Sequence, residues 1–412
     1  MIQGTVDRKS RRRRRAGLWL LCLAVCAFIP LNFSFPGTST WTPWLVLPVL
    51  LVLVMHRWMM DEGGVAVLTY HSVSADQSWL PWSSVVSVAP EAFESHMRML
   101  RSMGCNVIST LDLIRARLEG LELPDKPVAI HLDDGLLDNW VAAFPVLKRH
   151  GFKATLFASL EFVEEGEGTR PAMDHSGAEG AAPPALEWKG YLNWGELRAM
   201  DASGIVDVQP HGTDHARVRT GPGVVDRLDR GNWRRHGWVQ WAEMNGNKSG
   251  WFRHDGPPAV PYGTPVYESG PALACREWRD GAVESTSDYE ARVREALESS
   301  KARMDAALDK ETRVFCWPHN AATAAGRRLA AEAGYWATTG GRGENRAEED
   351  PRVISRISIH DRILGWRWDW LDCLVFKARV RLCHGNYYWY PPLLATGLLG
   401  AATRRLAGRA GR

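Results

Sequence analysis

The stretch PVAIHLDDGLLDN, residues 127–139, governs how the rest of the chain is read. A short apolar run ends in two adjacent carboxylates, Asp133 and Asp134, and Gly135 follows at once. Residues 127–132 have the length and composition of a buried strand, and the glycine marks a turn at its C-terminal end. Adjacent like charges at a strand end are costly, so the pair either faces water, holds a metal or moves a proton.

Working outward, short apolar runs alternate with amphipathic stretches from residue 64 onward. VAVLTY (65–70) reads as a strand, and Pro90 opens a helix with Phe93, Met97 and Leu100 on one face. Strands are expected at 127–132, 153–158, 204–209, 312–317 and 335–339, and helices at 138–150, 193–203, 286–309 and 321–333. Beta-alpha units in series imply an α/β fold with a parallel sheet, open or closed into a barrel, and chemistry at the C-terminal strand ends. Two segments break the rhythm. Residues 164–188, rich in Gly, Ala, Pro and Glu, read as an exposed loop. Residues 216–284 carry Trp233, Trp238, Trp241 and Trp251 and enough Pro and Gly to exclude long helices.

Composition narrows the function classes. The chain of 412 residues is 45% hydrophobic and 24% charged, enough for one large core or two modest ones. Its net charge of +3 is concentrated in Lys9 and Arg11–Arg15 at one end and Arg404, Arg405, Arg409 and Arg412 at the other. The middle is mildly acidic, which argues against nucleic-acid binding. The seven cysteines are odd in number and form no CxxC, so scattered buried thiols are expected rather than a disulfide framework or zinc knuckle.

The N-terminus reads as a membrane anchor. A basic segment (1–16) precedes GLWLLCLAVCAFIPLNFS (17–34), and FPGTST separates that run from WTPWLVLPVLLVLVM (41–55), which leads to His56, Arg57 and Trp58. Two transmembrane helices within 17–58 are expected, with the basic end cytoplasmic; a cleaved signal peptide lacks a small-x-small site. This places the protein in the cell (inner) membrane. Two spans return the chain to the cytoplasm and one leaves the domain outside. The Trp- and Arg-rich tail 366–412 includes YYWYPPLLATGLLGAA (387–402), a membrane-surface candidate whose Pro391 and Pro392 read as interruptions.

PHGTDH (210–215) places His211 and His215 four residues apart, directly after the apolar run GIVDVQ. That spacing lets two imidazoles converge on one ion, and two nitrogens with a carboxylate suit a hydrolytic zinc centre with open positions. Either motif alone is as readily a solvated strand end or a surface helix. Together and in this order, HLDDG (131–135) and HGTDH (211–215) resemble the TFDDG and H-[ST]-x-x-H motifs of the polysaccharide deacetylases of the NodB-homology type, carbohydrate esterase family 4. His131 stands where Thr is usual and Gly212 where Ser or Thr is usual. LTYHSV (68–73) resembles the opening strand of the family's biofilm-polysaccharide branch. DNWVAAFPVLKRHGFKATLF (138–157), FCWPHN (315–320) and AAEAGYWATT (330–339) resemble further family segments.

The resemblance covers roughly 64–361 and implies a distorted β/α barrel. It implies that Asp134, His211 and His215 bind a divalent metal ion, zinc by family habit, and that Asp133 is the general base. Pro318 and the backbone N–H of His319 would stand at the oxyanion. ISIHD (357–361) resembles the family's last motif, which would make His360 the general acid, with His71, at the end of the first strand, as the runner-up. The family's Arg before the third-motif proline is absent, and His319 and Asn320 replace the usual aromatic-Gly pair. The expected activity is hydrolysis of N-acetyl groups on an N-acetylhexosamine glycan or a lipid-linked sugar, with polysaccharide synthesis or export proteins as partners. The alternatives are a catalytically impaired carbohydrate-binding protein and a hydrolase of a non-sugar amide or formamide. The tryptophans of 188–251 either stack on sugars or pack in the interior.

Overall fold

Because each apolar run is followed by a crossover segment, successive strands return in the same direction and pair in parallel. The computed structural model describes His56, residues 59–173 and residues 185–410. The basic N-terminus, the anchor 17–58 apart from His56, and part of the 164–188 loop lie outside the described residues. Strands β1 (Ala66–Tyr70), β2 (Pro127–Leu132), β3 (Ala154–Ala158) and β4 (Val206–Pro210) lie side by side in that order. Leu156 of β3 is opposite Leu132 on one side and Val208 on the other. Val67, Leu68, Ala129, Leu132, Leu156 and Val208 are all fully buried, as expected of parallel strands covered on both faces.

A long antiparallel hairpin follows, β5 (Arg217–Arg227) with β6 (Pro265–Pro271), which accounts for much of the 216–284 insertion. Its connection holds a short helix, Gly237–Glu243, and a single 3-10 turn, Trp251–Arg253. Strands β7 (Val314–Phe315), β8 (Ala337–Gly341) and β9 (Val353–Ser355) form a second parallel sheet. Cys316 N–H donates to Pro210 O at 3.1 Å, tying this sheet to the end of β4. After Arg356 the chain continues as β10 (Ile357–Ser358), which pairs in parallel with β1. The strands thus run in a ring, the distorted β/α barrel expected from the motifs.

Helix boundaries follow local signals. Helix α1 (Pro90–Ser102) starts at a proline and buries Phe93, Met97 and Leu100; α2 (Thr110–Glu119) is capped by Ser109. Ahead of α3 (Phe144–His150), Asn139–Ala143 forms a π-turn in which Phe144 N–H reaches Asn139 O. Pro145, lacking an N–H, cannot make the ordinary bond to Val141, which favours this widened turn. Helices α4 (Trp194–Ala202), α5 (Thr286–Leu308) and α6 (Ala324–Glu332) start at Asn193, Ser285 and Thr323 caps. The expected strand 312–317 shrinks to Val314–Phe315, because Trp317 N–H turns to the Thr339 hydroxyl instead of a ladder partner.

The chain divides into two units. The larger comprises Val67–Gly341 and Asp350–Asp361, and the smaller takes the chain up to Ala66, Arg342–Glu349 and everything from Arg362. Arg342–Glu349 thus groups with the smaller unit. Within the smaller unit Arg346 is a buried cation that pairs with Asp61 and Glu344, each at 3.2 Å. That unit also holds α7 (Asp369–Cys383) and α8 (Tyr390–Ala410). Pro391 and Pro392 do not interrupt the tail. They occupy the first turn of α8, where a missing N–H costs nothing. Among the described residues no helix is long and apolar enough to cross a membrane.

Candidate active site

The two carboxylates of 127–139 stand where β2 leaves the sheet. Asp133 N–H still bonds to Tyr70 O at 2.9 Å, but Asp134 and Gly135 both adopt left-handed backbone, φ 74° and 68°. That reversal sends the two side chains to different partners. Gly135 is required here, since a Cβ would lie 3.1 Å from Ala158 Cβ at a backbone angle L-residues avoid.

Asp134 meets the histidines that follow β4. Its Oδ1 lies 3.2 Å from His211 Nε2 and 3.6 Å from His215 Nε2, and it is a buried atom without a hydrogen-bond partner. An ion would satisfy it. His211 Nδ1 is 2.9 Å from Cys316 O, which fixes the proton on Nδ1 and turns the Nε2 lone pair toward Asp134. Burial pushes His215 down to about 4, leaving a neutral ligand. Burial opposes ionisation of Asp134, but the neighbouring histidines more than offset it and hold the carboxyl below its usual range. One carboxylate and two imidazole nitrogens, all within 4.8 Å, suit a first-row divalent cation with open coordination positions. Asp133, His211 and Cys316 also cluster, but Asp133 is otherwise engaged. Gly212, the departure from the usual Ser or Thr, has φ 79°, a left-handed angle that disfavours any side chain there, and it sits beside Pro318. Lys248, reaching in from the insertion, braces the same turn through Asp214 and Glu161, each at 2.8 Å.

Asp133 takes a different set of partners. Arg356 Nη1 donates to Oδ1 at 2.8 Å and Oδ2 at 2.7 Å, and Cys316 Sγ lies 3.8 Å from Oδ2. Burial would raise this carboxyl, yet the Arg356 guanidinium, helped by His71 and His211, holds it below the usual carboxylate range. Sequence reasoning missed Arg356. It brings a guanidinium to Asp133 from the β9–β10 junction, and no arginine stands directly before Pro318. Its other nitrogen, Nη2, donates to Asn320 Oδ1 at 3.1 Å, so the unusual Asn320 is part of the same assembly. His319 stacks edge-on against His215, ring centroids 4.2 Å apart. His319 has φ 58°, and the hydrogen bonds of its turn run from Asn320 N–H to Trp317 O and from Ala321 N–H to Pro318 O, leaving its own N–H out of them.

Of the two candidate acids, His71 lines the cavity with its Nε2 3.7 Å from Asp133 Oδ2. Asn139 Nδ2 donates to His71 O at 2.7 Å, while Asp138 accepts from Ser72 Oγ at 2.6 Å and Val73 N–H at 3.0 Å. The DN pair that ends 127–139 therefore clamps the loop carrying His71. His360, two residues beyond Ser358, is not among the cavity-lining residues. His131 is fully buried, bonded through Nε2 to Thr110 Oγ1 at 3.0 Å and edge-on to Phe157. Burial lowers it to about 3, so it packs as a neutral residue and contacts no ligand candidate.

The cavity over these groups measures about 940 Å³. Trp82, Tyr191, Trp238 and Tyr267 line it, with Arg217 and Arg235. Trp233 and Trp251 are core, and Trp241 is mostly so, packed with Trp79, Phe162 and Phe252. Packing thus accounts for half of the six tryptophans in 188–251, namely Trp233, Trp241 and Trp251.

Residues 120–338 match the family model described as polysaccharide deacetylase, more than half of the chain. The chain belongs to the polysaccharide deacetylase family. The provisionally named polysaccharide deacetylase YxkH of Bacillus subtilis is 34% identical over 102 residues, covering 24% of this chain and 34% of that protein. The match thus spans about a third of that relative's length. Similar solved structures include a de-N-acetylase from Aggregatibacter actinomycetemcomitans, 20% identical with TM-score 0.49 over 71% of this chain and 94% of that one. The BpsB deacetylase domain from Bordetella bronchiseptica is likewise 20% identical with TM-score 0.49, over 73% and 97%. Deacetylases of this family are metal-dependent, consistent with the donor set around Asp134.

Proposed function

We propose that this deacetylase hydrolyses N-acetyl groups on the N-acetylhexosamine units of a glycan or a lipid-linked sugar, with zinc as the native ion. The observation that carries the reading is the division between the two adjacent carboxylates. Asp134 offers an unsatisfied oxygen to two imidazoles, and Asp133 is held ionised by Arg356.

Asp134, His211 and His215 would hold the cation, which when bound polarises a carbonyl and acidifies water. Asp133, ionised at neutral pH, takes the proton from the attacking water. His319 N–H donates to the carbonyl oxygen as charge builds there. His71, across from Asp133, delivers a proton to the departing amine, so one amide and one water yield acetate and a free amino sugar. The integration of Asn320 and His319 into the centre supports an intact enzyme over an impaired binder. Trp82 and Trp238 present flat apolar faces suited to a sugar ring. Segment 17–58 would hold the enzyme at the inner membrane.

Acetate release from N-acetylated chitooligosaccharides tests the assignment. His71→Gln is expected to lower kcat about 10²- to 10⁴-fold, and His360→Gln to leave it nearly unchanged; the reverse ranking would assign the acid to His360. Formate release in place of acetate would transfer the reading to a formamide.

A further inference from the structure

The outward side of α8 carries Leu394, Ala395, Gly397, Leu398, Leu399 and Ala402, all exposed and none polar. Leu398 is 65% and Leu399 56% exposed, unusual for leucines next to one another on a monomer surface. Near the far end of this helix, where Thr403 Oγ1 bonds to Leu364 O at 3.0 Å, Trp366, Trp368 and Trp370 are also about half exposed. Trp368 and Trp370 meet edge to face, ring centroids 5.4 Å apart, rather than packing into a core.

We infer that α8 and the Trp366–Trp370 turn form a surface that docks in the interfacial zone of an anionic lipid bilayer. Two further observations select this occupant. Residues 373–412 contain no Asp or Glu and seven Lys and Arg, so the sequence bearing the apolar face is strongly cationic. An apolar helix face with flanking basic residues and tryptophans is the composition of a helix lying in the headgroup region. In sequence, the uncharged run 41–55 leads directly into His56. His56 stacks on Tyr388 with centroids 5.8 Å apart and bonds to its hydroxyl at 3.2 Å, two residues before α8 begins. The residue that follows this run thus packs at the start of the apolar helix.

This inference rests on the membrane placement proposed above and not on the deacetylase chemistry. The test uses the full chain reconstituted in phosphatidylcholine–phosphatidylglycerol vesicles. A photoreactive p-benzoylphenylalanine replaces Leu398, Trp370 or, as the anchor control, Leu50. Adducts are identified by mass spectrometry. Lipid adducts at 398 and 370 are the expected result, with a loss of yield at both when phosphatidylglycerol is omitted. Lipid adducts at 50 alone would overturn the docking surface while leaving the anchor intact. Adducts from 398 to residues 17–55 or to a second copy would show that protein covers the face and overturn it equally. Absence of lipid adducts at all three positions would overturn both the surface and the membrane placement.

Discussion

Replacing Asp138 by Asn should stabilise the protein above neutral pH, although Asp138 is a fully buried acid in the segment that carries the chemistry. Its carboxylate accepts from Ser72 Oγ, Val73 N–H and Asn139 Nδ2, yet burial outweighs those bonds and pushes its pKa up to about 7 from 3.8. The folded state therefore holds this proton more tightly than the unfolded chain does. Its stability contribution is fully present below about pH 4 and is lost as pH rises through about 7. Three pKa units at 1.36 kcal/mol each put the loss at roughly 4 kcal/mol. Asn stays neutral, keeps an oxygen for Val73 and Asn139, and offers its amide N–H to Ser72 Oγ, which turns from donor to acceptor. Allowing about 1 kcal/mol for the altered hydrogen bonds at either pH, Asp138→Asn should gain roughly 2–3 kcal/mol at pH 8 and lose up to about 1 kcal/mol at pH 4. At about 2–4 °C per kcal/mol for a domain of this size, the Tm at pH 8 should rise by several degrees. Thermal unfolding of both proteins across that pH range is the assay. A lower Tm for the variant at pH 8, or an equal offset at both ends, would refute the reasoning. Asp138 would then be ionised and fully compensated. Acetate release should stay within a few-fold of wild type, since Asn139 still binds His71 O.

Two other outcomes follow from the same geometry. Asp134→Ala should lose the metal, whereas Asp133→Asn should keep it and lose turnover; equal metal loss in both, measured by elemental analysis, would erase the division between them. Arg356→Ala removes the cation that holds Asp133 below its usual range, so the acid limb of kcat/KM should move to higher pH, because the base is active only when ionised. An unmoved acid limb would assign the base elsewhere.

The local parts of the site were legible in the sequence because they lie on single turns. The DDG at the end of β2 and the two histidines after β4 each sit within a few residues, and a parallel sheet necessarily brings neighbouring strand ends together. Arg356 was not legible. It joins Asp133 from 223 residues away, through a ring closure at β9–β10 that no spacing rule encodes. The sequence motif favoured His360 over His71 as the acid, whereas His71 and not His360 is among the residues that line the cavity. Gly212 and His131, oddities against the family motifs, have ordinary physical causes: a left-handed turn beside Pro318 and a buried bond to Thr110. The helix from Tyr390 was misread because two prolines look like breakers until they are placed in a first turn, where helices tolerate them.

The most direct test of the central claim is metal content and acetate release measured on one purified sample of the full chain. The account predicts about one divalent cation per chain, loss of cation and acetate release together on chelation, and recovery of both when zinc is restored. Acetate release that persists after the metal is gone would contradict it, as would bound metal with no acetate from any N-acetylated glycan tried.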